Sequence, residues 1–359
     1  MRFLLLLVLV AQEKPPRKED PASLDAKKEA AKRIEELAAR MTKAGLKSEA
    51  MDCDSILRKL ADPTKIMPER GGNSPWPGDE NYTKILMDWT ETGTALAGIF
   101  KEAAEKIADK QDKEWAVIFS EWFATFGQLA EGVRHLNRRR KFCKIGPVML
   151  DWSASFGGYM HGRYMKINKD DPSTAGLGAH NEDPKLPGYS PEGAGAAGGI
   201  LGGGDSKSVM DAWLGSAFHR DPVLKPYVGR IAFGGGHGWW SCKDGGGTAA
   251  EKPGTKILHF PGDGDTECPT AFGGEAPDPL PKGMGSAGAM IIVEYLGSQP
   301  KKPQYRLLDD AGNEVKILML QKFSPVYFVA EKSLKSRTKY KVEITAQDGF
   351  KYEFTFTTR

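Results

Sequence analysis

The strongest constraint on the fold is an alternation of apolar and polar residues near the C-terminus. The alternating apolar residues are Tyr340, Val342 and Ile344, followed by Tyr352, Phe354 and Phe356. Because successive side chains of a strand point to opposite faces of a sheet, a period of two predicts strands with one buried face. Turn residues such as Asp348-Gly349 separate these runs. The sequence therefore predicts a small antiparallel β-sandwich over residues 255–359.

The N-terminal third has apolar residues at helical spacing instead. The predicted helices cover residues 23–45, 48–61, 82–108 and 113–136. An aromatic stripe in the last of them is predicted to lie in a core: Trp115, Phe119, Trp122, Phe123 and Phe126. The basic run Arg138-Arg139-Arg140-Lys141 that follows is interpreted as a solvated helix end.

A chain of 359 residues exceeds the usual size of one domain, so several regions are expected. We predict a signal peptide over residues 1–12, a helical region over 20–131, a mixed region over 132–250 and the β-sandwich over 255–359. The composition, 40% hydrophobic and 27% charged, is that of a globular protein. A net charge of only +3 provides no electrostatic support for nucleic-acid binding.

The N-terminus has the pattern of a secretory signal. Arg2 provides a positive charge, residues 3–10 are apolar, and Ala11 is a small residue suited to cleavage. The apolar run is too short to span a bilayer, so we predict a secreted or periplasmic protein without a membrane span after cleavage. The four cysteines lack CxxC spacing, and both disulfides and free thiols are compatible with the sequence.

The middle region contains five of the six histidines: His135, His161, His180, His219 and His237. Its GAGAAG stretch, residues 193–198, is interpreted as a glycine loop because neither a preceding strand nor a distant acidic residue supports nucleotide binding. The G-x-S-x-G and H-E-x-x-H signatures of hydrolases and metalloproteases do not occur in the sequence.

Imidazole and carboxylate side chains together can bind a divalent metal or exchange protons near neutral pH. The candidate residues of this kind are His161, His180, Glu182, Glu192 and His219. His219 is predicted to lie at the C-terminal end of a helix over residues 206–218, where an imidazolium complements the helix dipole. For a single histidine, a structural role is the more frequent alternative.

Three sequence blocks in the middle region resemble the CAP family (cysteine-rich secretory protein, antigen 5 and pathogenesis-related domain, also called SCP) of bacterial type. They are HLNRRRKFCKIGPVMLDWSASFGGYMHGRYM, GLGAHNEDPKLPGYSPEGAGAA and VMDAWLGSAFHRDPVLKPYVGRIAFG. The resemblance implies an α-β-α sandwich with a cleft, so the expected fold class is α+β with a helical N-terminal region. The C-terminal region resembles the immunoglobulin-like domain that follows CAP domains in some exported bacterial proteins.

Many members of this family bind zinc or another divalent ion through two histidines and two acidic residues in the cleft. The resemblance places the two histidines at His180 and His219, which are the predicted metal ligands. One acidic position falls on Ala194 and the other near Gly215, so both carboxylates are lost. The resemblance thus implies a degenerate metal site, unless Glu182 or Glu192 substitutes.

The leading functional expectation is a non-enzymatic exported binding protein. Its ligand would be a lipid, a component of the cell envelope or another protein, and its cleft would be lined by His161, His180, Trp213, His219 and Arg220. The alternative is a metal-assisted or His/Glu-dependent hydrolase of extracellular or envelope material. In that alternative, Glu182 or Glu192 acts as general base and His219 stabilises charge or binds metal.

Overall fold

The computed structural model describes residues 79–151, 154–245 and 255–359, together with three isolated helical positions before them. The isolated positions, Glu35, Glu36 and Ala39, fall within the first predicted helix. The rest of that helix, the predicted signal peptide, the second predicted helix and Cys53 lie outside the described residues. The described chain is a mixed α and β protein, which confirms the predicted α+β class at that level. None of the helices in these ranges is both long and apolar enough to cross a membrane.

The helices lie in the first two thirds of the chain. They are α1 (Asp79–Lys106), α2 (Lys110–Ala124), α3 (Phe126–Phe142), α4 (Ser155–Ile167), α5 (Pro191–Ala197), α6 (Ser206–Leu214) and α7 (Asp221–Leu224). Two 3-10 helices, Pro172–Thr174 and Gly176–His180, connect α4 to α5. The predicted helix over 113–136 is divided at Thr125 into α2 and α3. The predicted boundary at residue 132 therefore falls inside α3.

The aromatic stripe of α2 and α3 lies in the core, as predicted. Phe119, Trp122, Phe123 and Phe126 are at most 2% exposed, and Trp115 packs against them while partly exposed. Phe119 and Trp122 also contact the ring of Phe156 on α4. Helix α2 is thus packed on α4 of the middle region.

The middle region contains a four-stranded sheet in the order β1-β3-β4-β2. Its strands are β1 (Met149–Leu150), β2 (Ile200–Gly203), β3 (Arg230–Gly236) and β4 (Trp239–Asp244). The β1–β3 pair is parallel, whereas β4 is antiparallel to β3 and β2.

Helices contact both faces of this sheet through β3. On one face, the ring of Phe233 packs edge-on against Trp213 of α6, with 6.0 Å between centroids. On the other face, α4 approaches the backbone so closely that a Cβ on Gly158 would lie 2.5 Å from the carbonyl carbon of Gly234. Glycines therefore permit helix–sheet contact at the backbone level.

The C-terminal region consists of strands, as the alternation predicts. They are β5 (Ile257–Phe260), β6 (Asp265–Cys268), β7 (Ala271–Phe272), β8 (Ala287–Gly288), β9 (Met290–Tyr295), β10 (Gln304–Leu308), β11 (Glu314–Val315), β12 (Ile317–Gln321), β13 (Val326–Ala330), β14 (Lys339–Thr345) and β15 (Lys351–Thr358). Their sheets have the orders β11-β10-β14-β15-β6 and β12-β13-β9-β5, with a ribbon of β7 and β8.

Side chains from both large sheets share one apolar core, which includes Val293, Phe328, Ile344 and Phe356. The predicted antiparallel arrangement is correct for most pairs, but β6 lies parallel to β15. A parallel pair needs a long connection, and almost the whole region separates these two strands. A second core contains residues of the helices, the middle sheet and the C-terminal strands, among them Trp122, Phe233, Phe260 and Tyr327.

The interpretation of the basic run as a solvated helix end is correct for Arg138 and Lys141, which are exposed in the last turns of α3, but wrong for the two residues between them. Arg139 and Arg140 are both 0% exposed. Arg140 donates hydrogen bonds to the carbonyls of Gly146 at 2.8 Å and Val223 at 2.6 Å. Burial lowers the pKa of Arg140 to about 10, so its guanidinium stays charged at neutral pH. Tertiary partners remote in sequence therefore override the local charge pattern.

The three cysteines in the described ranges, Cys143, Cys242 and Cys268, are buried free thiols. Burial raises the pKa of Cys143 to about 12 and raises the pKa of the other two thiols as well. Thiolates are the reactive form of cysteine, so these side chains behave as apolar core residues.

Candidate functional site

His161 and Glu182 form a buried pair in the middle region. His161 lies on α4, whose small residues allow close packing on the sheet, and its Nδ1 is 2.9 Å from Oε1 of Glu182. The residues are 1% and 3% exposed. The other carboxylate oxygen of Glu182 accepts a hydrogen bond from the backbone N–H of Ser190 at 3.2 Å. Nε2 of His161 is buried and has no hydrogen-bond partner within the described chain.

Glu192 lies in the first turn of α5 and is 3% exposed. Ser190 caps this helix, because its hydroxyl accepts a hydrogen bond from the N–H of Gly193 at 2.9 Å. The interpretation of residues 193–198 as a loop is therefore wrong for most of that stretch, which belongs to α5. Pro191 at the first position and the Ser190 cap are the sequence signals that predict this helix.

His180 ends the second 3-10 helix and is half-buried. Its Nδ1 lies 3.1 Å from the carbonyl oxygen of Ala197, to which it donates a hydrogen bond. Asn181 then continues in an extended conformation to Glu182. The carboxylate of Glu182, however, contacts His161 rather than His180.

Trp213 is 2% exposed and lies on α6, where its indole N–H donates to the carbonyl of Leu201 at 3.0 Å. This places it in the core instead of at an open cleft wall. The helix ends at Leu214, with Gly215 as its C-cap. The prediction that His219 lies at the C-terminal end of this helix is therefore wrong, because His219 lies in the turn that follows. Gly215 favours termination of the helix at this point, whereas the predicted helix over 206–218 continues past it.

His219 contacts a carboxylate from the C-terminal region. Its Nδ1 lies 2.8 Å from Oε2 of Glu275, whose side chain is 2% exposed. The same carboxylate accepts hydrogen bonds from the backbone N–H groups of Ala217 at 2.6 Å and Phe218 at 3.0 Å. Glu275 is not among the residues predicted from the sequence, because 56 residues separate it from His219 and no local pattern links them.

Arg220 also points to the C-terminal region. Its guanidinium lies 2.9 Å from Glu294 and donates a weaker hydrogen bond to the hydroxyl of Tyr327 at 3.3 Å. Burial alone would lower the pKa of Arg220, but the charge of Glu294 and the contact with Tyr327 outweigh it and raise this pKa. Arg220 thus connects two regions of the molecule rather than lining an open cleft.

A further polar cluster went unpredicted. His135 on α3 lies 2.8 Å from Asp211 on α6, and the guanidinium of Arg139 lies 3.1 Å from Asp265 on β6. Arg359 also reaches Asp211, at 2.6 Å. All but Arg359 are buried. The helical periodicity of α3 and α6 did not reveal that their polar residues face each other.

The donor set of a zinc site is not assembled by the residues that the structure describes. A structural zinc takes four ligands and a catalytic zinc takes three with an open position. No group of three or more His, Cys, Asp or Glu side chains in the described ranges is placed to bind a metal ion. His180 and His219, the predicted ligands, contact Ala197 and Glu275 respectively.

The chain matches no protein-family model, and no curated protein is significantly similar to it in sequence. The resemblance to the CAP family therefore rests on the three sequence blocks described above.

Proposed function

We propose that this protein is an exported, non-enzymatic binding protein of CAP type whose C-terminal region is immunoglobulin-like. The proposal keeps a lipid or a component of the cell envelope as the ligand, with a protein as the alternative. It places the ligand-facing surface on the segment 215–228, which carries His219 and Arg220.

One observation carries the proposal. Phe218 and Tyr227 are 51% and 58% exposed, although both are large aromatic side chains. They lie in the same segment as His219 and Arg220, whose polar atoms contact Glu275 and Glu294. Exposed aromatic side chains on a fixed backbone are suited to ligand contact, since rings bury much apolar area at low entropic cost.

The ionisable groups of this segment are engaged in contacts within the protein. Nδ1 of His219 is already directed to Glu275, and Arg220 is directed to Glu294 and Tyr327. These polar groups hold the segment in place, and its aromatic side chains face solvent.

The test compares the wild type with the double variant Phe218→Ala plus Tyr227→Ala. Co-sedimentation is measured with phosphatidylglycerol vesicles and, separately, with purified peptidoglycan. Removal of two aromatic anchors is expected to weaken binding by about tenfold or more. The matched control is Phe323→Ala, which removes a 79% exposed ring elsewhere on the surface and should leave binding unchanged. Equal binding by the double variant and the wild type would contradict the proposal.

A second candidate function, a His/Glu-dependent hydrolase, is favoured by the pair of His161 and Glu182. A carboxylate on one imidazole nitrogen, with the other nitrogen unbonded, is the arrangement that orients a histidine as a general base. Here Nδ1 of His161 contacts Glu182 at 2.9 Å, and Nε2 has no hydrogen-bond partner in the described ranges. Burial of both side chains counts against it, since a substrate would need the surrounding segment to open.

This alternative predicts hydrolysis of peptidoglycan or ester substrates by the wild type. The variants His161→Gln and Glu182→Gln should then lose activity while remaining folded by circular dichroism. Turnover that persists in both variants would exclude this pair as its source.

A further inference from the structure

The turn at Ala217, Phe218 and His219 surrounds a carboxylate with three donors. Glu275 receives two backbone hydrogen bonds, at 2.6 and 3.0 Å, and a contact from the imidazole Nδ1 at 2.8 Å. Its side chain is 2% exposed, so nearly all of its hydration is replaced by these groups. Successive backbone N–H groups with an adjacent imidazole form a concave site suited to a carboxylate.

The donors are positioned by their own segment rather than by Glu275. The hydroxyl of Ser216 donates to the carbonyl of Trp213 at 2.9 Å and accepts from the N–H of His219 at 3.0 Å. The N–H of Gly215 donates to the carbonyl of Asp211 at 3.0 Å, which continues α6 into the turn. The site is therefore organised from the α6 side, and a carboxylate enters it from the other side.

Glu275 reaches this turn from the connection between β7 and β8, most of which is exposed. Gly273 and Gly274 precede it, and Gly283 and Gly285 follow it on the same connection. A Cβ on any of these four glycines would meet nothing within 4 Å, and two of them have φ of +83° and +90°. The buried carboxylate thus belongs to a largely exposed connection that is rich in glycine and is anchored to the core by Leu280 and Met284.

From these contacts we propose that the turn 217–219 is a binding site for a carboxylate group, and that Glu275 occupies it as a tethered internal ligand. The inference rests on the proposed binding role of segment 215–228 and names the chemical class that it recognises. A tethered group has an effective concentration on the order of millimolar or more, so an external carboxylate must compete with Glu275.

The test removes the tethered ligand and supplies a free one. The variant Glu275→Ala is titrated with acetate at constant ionic strength, and its melting temperature is recorded. Acetate is expected to stabilise it saturably, with a midpoint on the order of 10 mM and a rise of about 2–4 °C at ten times that concentration. The wild type should not respond at these concentrations because Glu275 fills its site.

Two controls make the result specific. Acetamide has the shape of acetate without its charge and should not stabilise Glu275→Ala. The double variant Glu275→Ala plus His219→Ala lacks the imidazole donor and should bind acetate about tenfold more weakly. An absence of saturable stabilisation, or an equal response to acetamide, would overturn the proposal.

If Glu275→Ala does not fold, Glu275→Ser provides the decision, because its short side chain also leaves the turn unoccupied. Titration with acetate should then shift the amide resonances of Ala217 and Phe218, and unchanged resonances would overturn the proposal. Neither readout uses vesicles or peptidoglycan. Failure of the proposed ligand class is therefore distinguishable from failure of the proposed function: acetate can stabilise a protein that binds neither material.

Discussion

The middle region and the C-terminal region differ in the partners of their histidines. In the middle region, the buried His135 and His161 and the half-buried His219 each contact a carboxylate, at 2.8, 2.9 and 2.8 Å. A carboxylate compensates the positive charge that an imidazole acquires on protonation. Two of these carboxylates belong to the middle region, and the partner of His219 comes from the C-terminal region.

The C-terminal region provides neutral partners for His259. Nδ1 lies 2.7 Å from the carbonyl of Pro261, Nε2 lies 3.1 Å from the hydroxyl of Tyr352, and the ring stacks on Phe354. Burial lowers the pKa of His259 to about 4, although the carbonyl of Pro261 acts in the opposite direction. The two regions therefore differ in whether a carboxylate contacts the imidazole, and the number of histidines in a region does not indicate this.

The largest expected effect comes from breaking a buried histidine–carboxylate contact of the middle region. Glu182→Ala leaves the imidazole of His161 and the backbone N–H of Ser190 buried without their acceptor and should lower the free energy of unfolding by about 3–5 kcal/mol. The measurement is urea unfolding at pH 7. The double variant Glu182→Leu plus His161→Leu should lose less, because the imidazole is removed and only the backbone N–H of Ser190 is left without its acceptor. A loss in the double variant equal to the sum of the losses of Glu182→Leu and His161→Leu alone would show that the pair is not coupled.

The next largest effect is a dependence of the free energy of unfolding on pH, which comes from His259. The folded-state pKa of about 4 lies below the ordinary value of 6.5, so the unfolded state binds more protons between these values. Stability from this group is present above pH 6.5 and is lost as the pH falls toward 4, by about 3 kcal/mol in total.

Unfolding of His259→Phe should therefore vary less with pH in this window than unfolding of the wild type. Tyr352→Phe is the matched control, since burial is the main cause of the lowered pKa and the slope should persist. A wild-type stability that is flat between pH 6.5 and pH 4 would contradict the comparison.

The smallest effect is expected at His180, which belongs to the middle region but contacts a carbonyl instead of a carboxylate. His180→Gln should change the free energy of unfolding by about 1 kcal/mol or less, the usual contribution of one hydrogen bond. Thermal unfolding of His180→Gln, measured alongside Glu182→Ala, compares the two losses of stability directly. A loss as large as that of Glu182→Ala would show that half-buried His180 has a structural role that its contacts do not indicate.

Much of the architecture follows from sequence patterns. Period two at Tyr340, Val342 and Ile344 predicts a strand with one buried face, and all three side chains are buried in β14. The aromatic stripe of α2 and α3 is buried for the same kind of reason, since 3.6-residue periodicity places Phe119 and Trp122 toward one side. Such patterns are local, because they arise within a single helix or strand that has one face in the core and the other in solvent.

The candidate site follows from the sequence only in part. His161 and Glu182 were both singled out, but their contact with each other was not predicted. The contact of His219 with Glu275 is not predicted from the sequence. The burial of Arg139 and Arg140 is not predicted either, because a basic run at a helix end is usually solvated.

The sequence by itself thus determined the strands with alternating apolar residues near the C-terminus and the buried aromatic stripe of α2 and α3. Only the tertiary structure decided which polar groups meet. Glu275 and His219 are 56 residues apart, and His135 and Asp211 are 76 apart. Periodicity extends over one element, whereas the position of a hydrogen-bond partner depends on how separate elements pack, so no local pattern contains that information.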